Sequence, residues 1–111
     1  MLRSPTAERL YRRDARVEVR SAGVSASATH TVSASDLHWA DLILVMETRY
    51  ASAIRRRFRS LEIPSIRSLD VPDDYNFMQP ELVQVLQSSI EPEIARLLAS
   101  GTSGSPYTIV C

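Results

Sequence analysis

A chain of 111 residues, of which 44% are hydrophobic, is long enough to form one domain with its own core. The formal net charge is zero, which argues against a nucleic-acid-binding protein, and no apolar run approaches the ~20 residues of a membrane span. The single cysteine excludes an internal disulfide and any metal site built on several cysteines, and it fits a reducing, cytoplasmic compartment.

The first half of the chain alternates helix and strand patterns. The predicted elements are, in order, a helix at Ser4–Arg13, a strand at Val17–Gly23, a helix at Ser33–Ala40 and a strand at Leu42–Met46. Ser4 can cap the first helix, and either Ser33 or Ser35 can cap the second. The last of these segments is an unbroken apolar run, which is typical of a central parallel strand covered on both faces.

The second half continues the alternation. It predicts a helix at Thr48–Phe58 capped by Thr48, a strand at Ser65–Leu69, a long helix from Gln79 to about Ser100, and a strand at Tyr107–Cys111. Pro92 falls inside the long helix and is expected to kink or split it. Residues 101–105 are Gly, Thr and Ser, which is the composition of a flexible linker.

Three consecutive arginines, Arg55, Arg56 and Arg57, end the third predicted helix. They favour the negative end of the helix dipole, so we interpret them as a solvent-facing group and not as a nucleic-acid site. Taken together, the alternating elements predict an α/β fold with a parallel sheet and right-handed crossovers.

Two fragments at opposite ends of the chain complete one known motif. Residues Leu2–Glu8 read Leu-Arg-Ser-Pro-Thr-Ala-Glu, and Tyr107–Cys111 form a short apolar strand that ends in the only cysteine. Read from back to front, they resemble the signature of low-molecular-weight protein tyrosine phosphatases, in which a strand ends in Cys, five residues follow, and Arg-Ser-Pro begins a helix. Three shorter segments also resemble that family: Ser21-Ala22-Gly23, Trp39-Ala40-Asp41 and Val45-Met46-Glu47.

The resemblance implies a three-layer fold, with a four-stranded parallel sheet and helices on both faces. It implies that the strand at Tyr107–Cys111 lies inside the sheet, between the strands at Val17–Ala22 and Leu42–Met46. The chain would then be a circular permutant opened inside its phosphate-binding loop, with Met1 and Leu2 in the last two places of that loop. Residues 1–100 would be the original body, 101–105 an engineered linker and 106–111 the original first strand.

The same resemblance implies the residues of a phosphatase site. Cys111 would be the nucleophile and Arg3 would bind phosphate oxygens. Ser4 would donate a hydrogen bond to the cysteine sulfur, and Leu2 would belong to the phosphate-binding loop. Asp73 is the first choice for the general acid and Asp74 the second, because the family places an Asp there that precedes Pro and an aromatic residue. Tyr75 either stacks against an aryl substrate or is a core aromatic beside Phe77.

These residues imply a hydrolase acting on phosphotyrosine-like esters, with phosphate or an aryl phosphate as ligand. We expect no cofactor, no metal, no nucleic-acid or membrane partner, and a monomer. The broken loop is expected to lower activity, because most of the backbone N–H groups that would hold phosphate are missing. The alternative is a non-catalytic anion-binding or structural module of the same fold. Arsenate reduction ranks last, because it would need a second thiol.

Overall fold

The computed structural model describes residues 3–25, 28, 30–99 and 105–110. Within them, helices and strands alternate along the chain. The elements are α1 (Arg3–Tyr11), β1 (Val17–Ala22), α2 (Ala34–Trp39), β2 (Leu42–Val45), α3 (Thr48–Arg57), β3 (Ile66–Ser68), α4 (Pro80–Ala99) and β4 (Ser105–Val110). The α/β class predicted from the sequence is therefore confirmed.

The four strands form one sheet in the order β1-β4-β2-β3, and every pair is parallel. The last strand of the chain is thus a central strand, as predicted. Tyr107 lies opposite Val19 on one side and Leu42 on the other. Residues 107–110 are almost fully buried, as expected of a parallel strand that is covered on both faces.

Helices contact β4 from both faces of the sheet. Neighbouring residues of a strand point to opposite faces. The Tyr107 hydroxyl donates to the carbonyl oxygen of Glu93 in α4 at 3.5 Å, whereas the Thr108 hydroxyl donates to that of Asp36 in α2 at 2.9 Å. This arrangement is compatible with a three-layer α/β fold.

The first turns of two helices decide between the predicted caps. Ser33 caps α2 and forms a reciprocal capping box with Asp36, so Ser35 is not the cap. The predicted cap of α3 is wrong, because Glu47 is its N-cap residue and no side chain caps the helix there. The Thr48 hydroxyl instead lies 3.4 Å from Asp70 Oδ1 on the following loop.

Two other boundaries differ from the prediction. α4 is one helix of 20 residues that contains Pro92, so the proline does not split it. Leu86, Ile90 and Ile94, on either side of the proline, all bury their side chains in the core and hold the helix together. β4 begins at Ser105, which the composition had assigned to the linker. The other linker residues, 101–104, lie outside the described residues.

The core lies between the sheet and its helices. Its most completely buried side chains include Leu37, Ile43, Leu44, Ile54, Leu82, Leu86 and Ile109. Among the helices formed by the described residues, none combines the length and the apolar character needed to cross a bilayer.

Candidate functional site

Arg3 is the first residue of α1, and its side chain is 1% exposed. One terminal nitrogen, Nη1, donates to the carbonyl oxygen of Val71 at 2.6 Å and to Glu47 Oε2 at 2.7 Å. The other, Nη2, donates to the Tyr50 hydroxyl at 3.1 Å. A buried charge is tolerated only when it is paired and hydrogen-bonded, so these contacts explain how α1 can begin with a buried guanidinium.

A series of backbone contacts places Arg3 at the edge of the sheet where the strands end, which we call the carboxyl edge. The Met46 amide donates to the Val110 carbonyl at 3.1 Å, and the Val71 amide donates to the Met46 carbonyl at 2.9 Å. The Val71 carbonyl in turn accepts the hydrogen bond from Arg3. The end of β4 and the start of α1 are therefore close in space, although they lie at opposite ends of the chain.

Glu47 is the main carboxylate partner of Arg3. Its side chain is 30% exposed, and its second oxygen, Oε1, accepts a hydrogen bond from Arg49 Nε at 3.0 Å. The hydrogen bond from Arg3 is the largest cause that holds the pKa of Glu47 below its ordinary value of 4.5; partial burial opposes this shift and Arg49 adds to it. Glu47 is therefore a carboxylate at neutral pH, and its charge offsets that of Arg3.

The loop between β3 and α4 covers Arg3 and is attached to α1 at two points. Val71 near its start accepts from Arg3, and the Met78 amide near its end donates to Thr6 Oγ1 at 3.1 Å. Between them, Asp73 Oδ1 lies 3.7 Å from Arg3 Nε. The loop is thus held over the start of α1, with one carboxylate directed towards the guanidinium.

The structure brings some of the predicted site residues together. Arg3 and Asp73 are in contact, although Asp73 is 43% exposed. The alternative acid Asp74 is also exposed on the same loop. Tyr75 is partly buried and packs against the core, and Ser4 is buried beside Arg3. The predicted nucleophile Cys111 and the predicted loop residue Leu2 lie outside the described residues.

Phe77 does not pair with Tyr75 in the core. The second alternative made Tyr75 a core aromatic beside Phe77; Tyr75 does pack against the core, but the Phe77 side chain is 46% exposed. A pattern of apolar residues in a loop has no periodicity from which to infer which side chain turns inward.

Two residues of the site, Glu47 and Tyr50, have no site role among those that the sequence predicts. Glu47 directly follows β2, and ligand-binding side chains of open parallel sheets often follow the strands at the carboxyl edge. That rule could have found Glu47. Tyr50 is one helical turn further along and 6% exposed, and it looked like an ordinary member of the apolar stripe of α3.

The site combines the buried guanidinium of Arg3 with the exposed carboxyl group of Asp73. These two groups allow anion binding and proton transfer. Arg3 can bind an oxyanion with its planar guanidinium, and Asp73 can exchange a proton from its exposed position. In the structure the guanidinium is bonded to protein acceptors, so an incoming anion would compete with Glu47 and Asp73. In the part of the chain that the structure describes, no group of three or more His, Cys, Asp or Glu side chains could hold a metal ion.

A cavity of about 450 Å³ lies elsewhere, where the strands begin, between α2 and the connection from α3 to β3. None of the predicted site residues lines it. No family model, curated protein or solved structure matches the chain. The function must therefore be inferred from the geometry and from the resemblance of its motifs.

Proposed function

We propose that this chain is a cysteine-dependent phosphate monoester hydrolase, similar to low-molecular-weight protein tyrosine phosphatases and permuted in chain order. The central position of β4 carries the proposal. The family resemblance requires the strand that ends in the nucleophilic cysteine to lie between the strands equivalent to β1 and β2, and β4 lies there. Its last described residue, Val110, precedes Cys111.

A second observation supports the proposal. Arg3, the arginine of the Arg-Ser-Pro motif, is buried at the carboxyl edge of the same sheet and is joined to Val110 through Met46 and Val71. An open parallel sheet binds its ligands at this edge, and the start of a helix favours anions there. The described residues nearest the two halves of the split motif, Arg3 and Val110, thus lie at the same edge of the sheet, which supports the proposal.

The proposed reaction uses Cys111, Arg3 and Asp73. The Cys111 thiolate attacks the phosphorus of an aryl phosphate and displaces the phenolic oxygen, which takes a proton from Asp73. Water, giving its proton to Asp73, then hydrolyses the phosphocysteine to inorganic phosphate and thiolate. Arg3 binds two of the phosphate oxygens throughout, in place of its present carboxylate partners.

The test is hydrolysis of p-nitrophenyl phosphate by the purified chain. We expect slow release of nitrophenol that Cys111→Ser abolishes and that Arg3→Lys lowers. Arg16→Lys is the matched control, because Arg16 pairs with Asp14 and Glu91 where the strands begin. Turnover that survives Cys111→Ser would exclude the proposed nucleophile.

A second candidate function is anion binding without catalysis. One observation favours it: Arg3 already pairs with the carboxylate of Glu47 and lies close to that of Asp73. Calorimetric titration with inorganic phosphate separates the two. Binding that depends on Arg3, with no turnover of the aryl phosphate, would favour the binding module.

A further inference from the structure

Two groups of exposed charge, of opposite sign, lie at opposite edges of the sheet. In a parallel sheet, each helix that follows a strand starts at the carboxyl edge and returns to the opposite edge, which we call the amino edge. α3 starts beside Asp70 at the carboxyl edge and spans 10 residues, about 15 Å. Its end, and the connection from there to β3, therefore lie at the amino edge.

Four arginines at the end of α3 form an exposed group that we call the basic surface. Its members are Arg55, Arg56, Arg57 and Arg59. Within the described residues none of the four forms an ion pair. Six other arginines pair with carboxylates of the same molecule: Arg3, Arg16, Arg20, Arg49, Arg67 and Arg96. A second group of exposed arginines without an ion pair among the described residues lies around the end of α1: Arg9, Arg12 and Arg13.

The cavity described above adjoins the basic surface. Ser60 and Leu61, which line it, directly follow Arg59 in the chain. Its other walls include the apolar side chains of Leu37, Ala40 and Pro64. His38 and the exposed carboxylate of Glu62 also line it, and Glu62 offsets part of the positive charge nearby. The amino edge therefore offers positive charge beside an open, partly apolar recess of about 450 Å³, which is room for an aromatic side chain.

The complementary features lie at the carboxyl edge of the same protein. Residues 70–81, which we call the acidic segment, contain no basic residue and expose Asp70, Asp74 and Glu81. These three carboxylates form no ion pair within the described residues. Between them lies Phe77, whose side chain is 46% exposed. The segment thus presents negative charge around an apolar anchor.

We propose that the basic surface of one copy of this chain binds the acidic segment of a second copy, with Phe77 in the cavity. The contact joins two different surfaces, so it is heterologous. Each dimer therefore keeps one free basic surface and one free acidic segment. Longer head-to-tail assemblies then form as concentration rises. A second copy fits better than a nucleic acid, because it supplies an apolar anchor as well as negative charge.

This inference does not depend on phosphatase activity. It limits the expected monomer to dilute or high-salt solution, because attraction between exposed charges is screened within about 8 Å at physiological ionic strength. Sedimentation velocity of the purified chain, over a concentration series at low and high salt, measures it directly. We expect the weight-average mass to rise with concentration at low salt and to return to that of the monomer at high salt.

Charge reversal tests which arginines are used. Arg55→Glu/Arg59→Glu should weaken association by about tenfold or more, equivalent to about 1.4 kcal/mol. Arg9→Glu/Arg13→Glu is the matched control, with the same spacing and charge change at the end of α1, and it should weaken association far less. Equal loss in the two variants would overturn the proposed surface and leave only a general charge effect.

Two further measurements distinguish a specific contact from a loss of folding in the variants. Asp74→Arg/Glu81→Arg should also weaken association, and mixing this variant with Arg55→Glu/Arg59→Glu should restore it, which damaged folds could not do. Phe77→Ser should weaken association, whereas Leu98→Ser, at an exposed apolar residue 39% accessible, should not. A monomer at every concentration and salt, or a mixture that fails to associate, would overturn the proposal.

Discussion

Arg3 and Val71 are 68 positions apart in the chain, yet Arg3 Nη1 donates to the Val71 carbonyl at 2.6 Å. This bond joins the first turn of α1 to the loop that follows β3. Because the same nitrogen also donates to Glu47, one buried side chain holds together three segments at the carboxyl edge. Both the stability of this edge and its chemistry depend on how Arg3 is paired.

Removing the charge of Glu47 should destabilise the fold. Glu47→Gln keeps the shape of the side chain but weakens the partner of a buried guanidinium, and a hydrogen bond to a charged group contributes about 1.5–3 kcal/mol. We expect a loss of that order in the free energy of unfolding, measured by urea denaturation. Arg49→Gln is the control; Arg49 is 71% exposed, and such pairs contribute less than about 1 kcal/mol. Equal losses would show that Arg3 does not need Glu47.

The same pair makes stability depend on pH. The folded-state pKa of Glu47 lies below 4.5, so its contribution is fully present above that value and is lost as pH falls through the lowered pKa. The difference in unfolding free energy between the native chain and Glu47→Gln should therefore shrink below pH 4.5. A difference that is constant from pH 7 to acid would contradict this linkage.

That measurement must be a difference, because four other carboxylates also have a lowered pKa: Asp14, Asp36, Glu81 and Glu91. Burial raises the pKa of Asp36, but hydrogen bonds from His30 and Ser33 outweigh it and leave the pKa below its ordinary value. Asp36 and the other three carboxylates contribute equally to both proteins in the comparison, so their effects cancel. Only the contribution of Glu47 remains.

Met78 offers a test of backbone strain beside the site. Its φ is 59°, in the left-handed region that disfavours residues with a Cβ by about 1–2 kcal/mol. Met78→Gly should therefore raise the free energy of unfolding by roughly 1 kcal/mol, despite the extra freedom of glycine in the unfolded chain. Met78→Ala is the control, because it keeps the Cβ and relieves nothing. If both variants lose stability equally, the side chain of Met78 matters more than the strain.

The sequence predicts secondary structure best where all the residues of a segment are in the same environment. Leu42–Met46 is apolar throughout because β2 is covered on both faces, and that pattern predicts a central strand without further information. The local sequence pattern does not predict the central position of β4, because β4 pairs with strands more than 60 residues away in the chain. The resemblance to a known family supplied that order, since periodicity cannot.

The candidate site shows the same limit. The Arg-Ser-Pro motif identified Arg3, but nothing local to residue 3 indicates that Glu47, Tyr50 and Val71 are its partners. Such contacts depend on which strand ends meet at one edge, and the tertiary structure decides that. Thr48 is similar: its preference for capping was outweighed by a contact with Asp70 on a distant loop.

The Gly- and Ser-rich segment at residues 101–105 is predicted to tolerate insertion. Loop-closure entropy grows only with the logarithm of length, so adding a few Gly and Ser should cost well under ~1 kcal/mol. Insertion after Gly104 avoids Ser105, which begins β4. Thermal unfolding measures the effect. A large fall in Tm would mean that the segment does more than connect α4 to β4.

The decisive test of the proposed activity restores a continuous phosphate-binding loop. New termini are placed within residues 101–104, and Cys111 is joined to Met1 through three added residues, so that five residues separate Cys111 from Arg3. Three residues span at most ~14 Å between the Cα atoms of Cys111 and Met1. The restored backbone N–H groups would bind the phosphate oxygens together with Arg3. We expect this rearranged protein to hydrolyse p-nitrophenyl phosphate faster than the original chain.

Substitutions in the rearranged protein then identify the roles of the residues. Cys111→Ser should abolish turnover, Arg3→Ala should remove phosphate binding, and Asp73→Asn should lower kcat by roughly 10²–10⁴-fold, as expected when a general acid is lost. Asp74→Asn is the matched control, since Asp74 is the exposed neighbour of Asp73 on the same loop. A larger loss at Asp74 would move the acid by one residue. Turnover indifferent to Cys111→Ser would overturn the phosphatase mechanism itself, because every step depends on that thiolate.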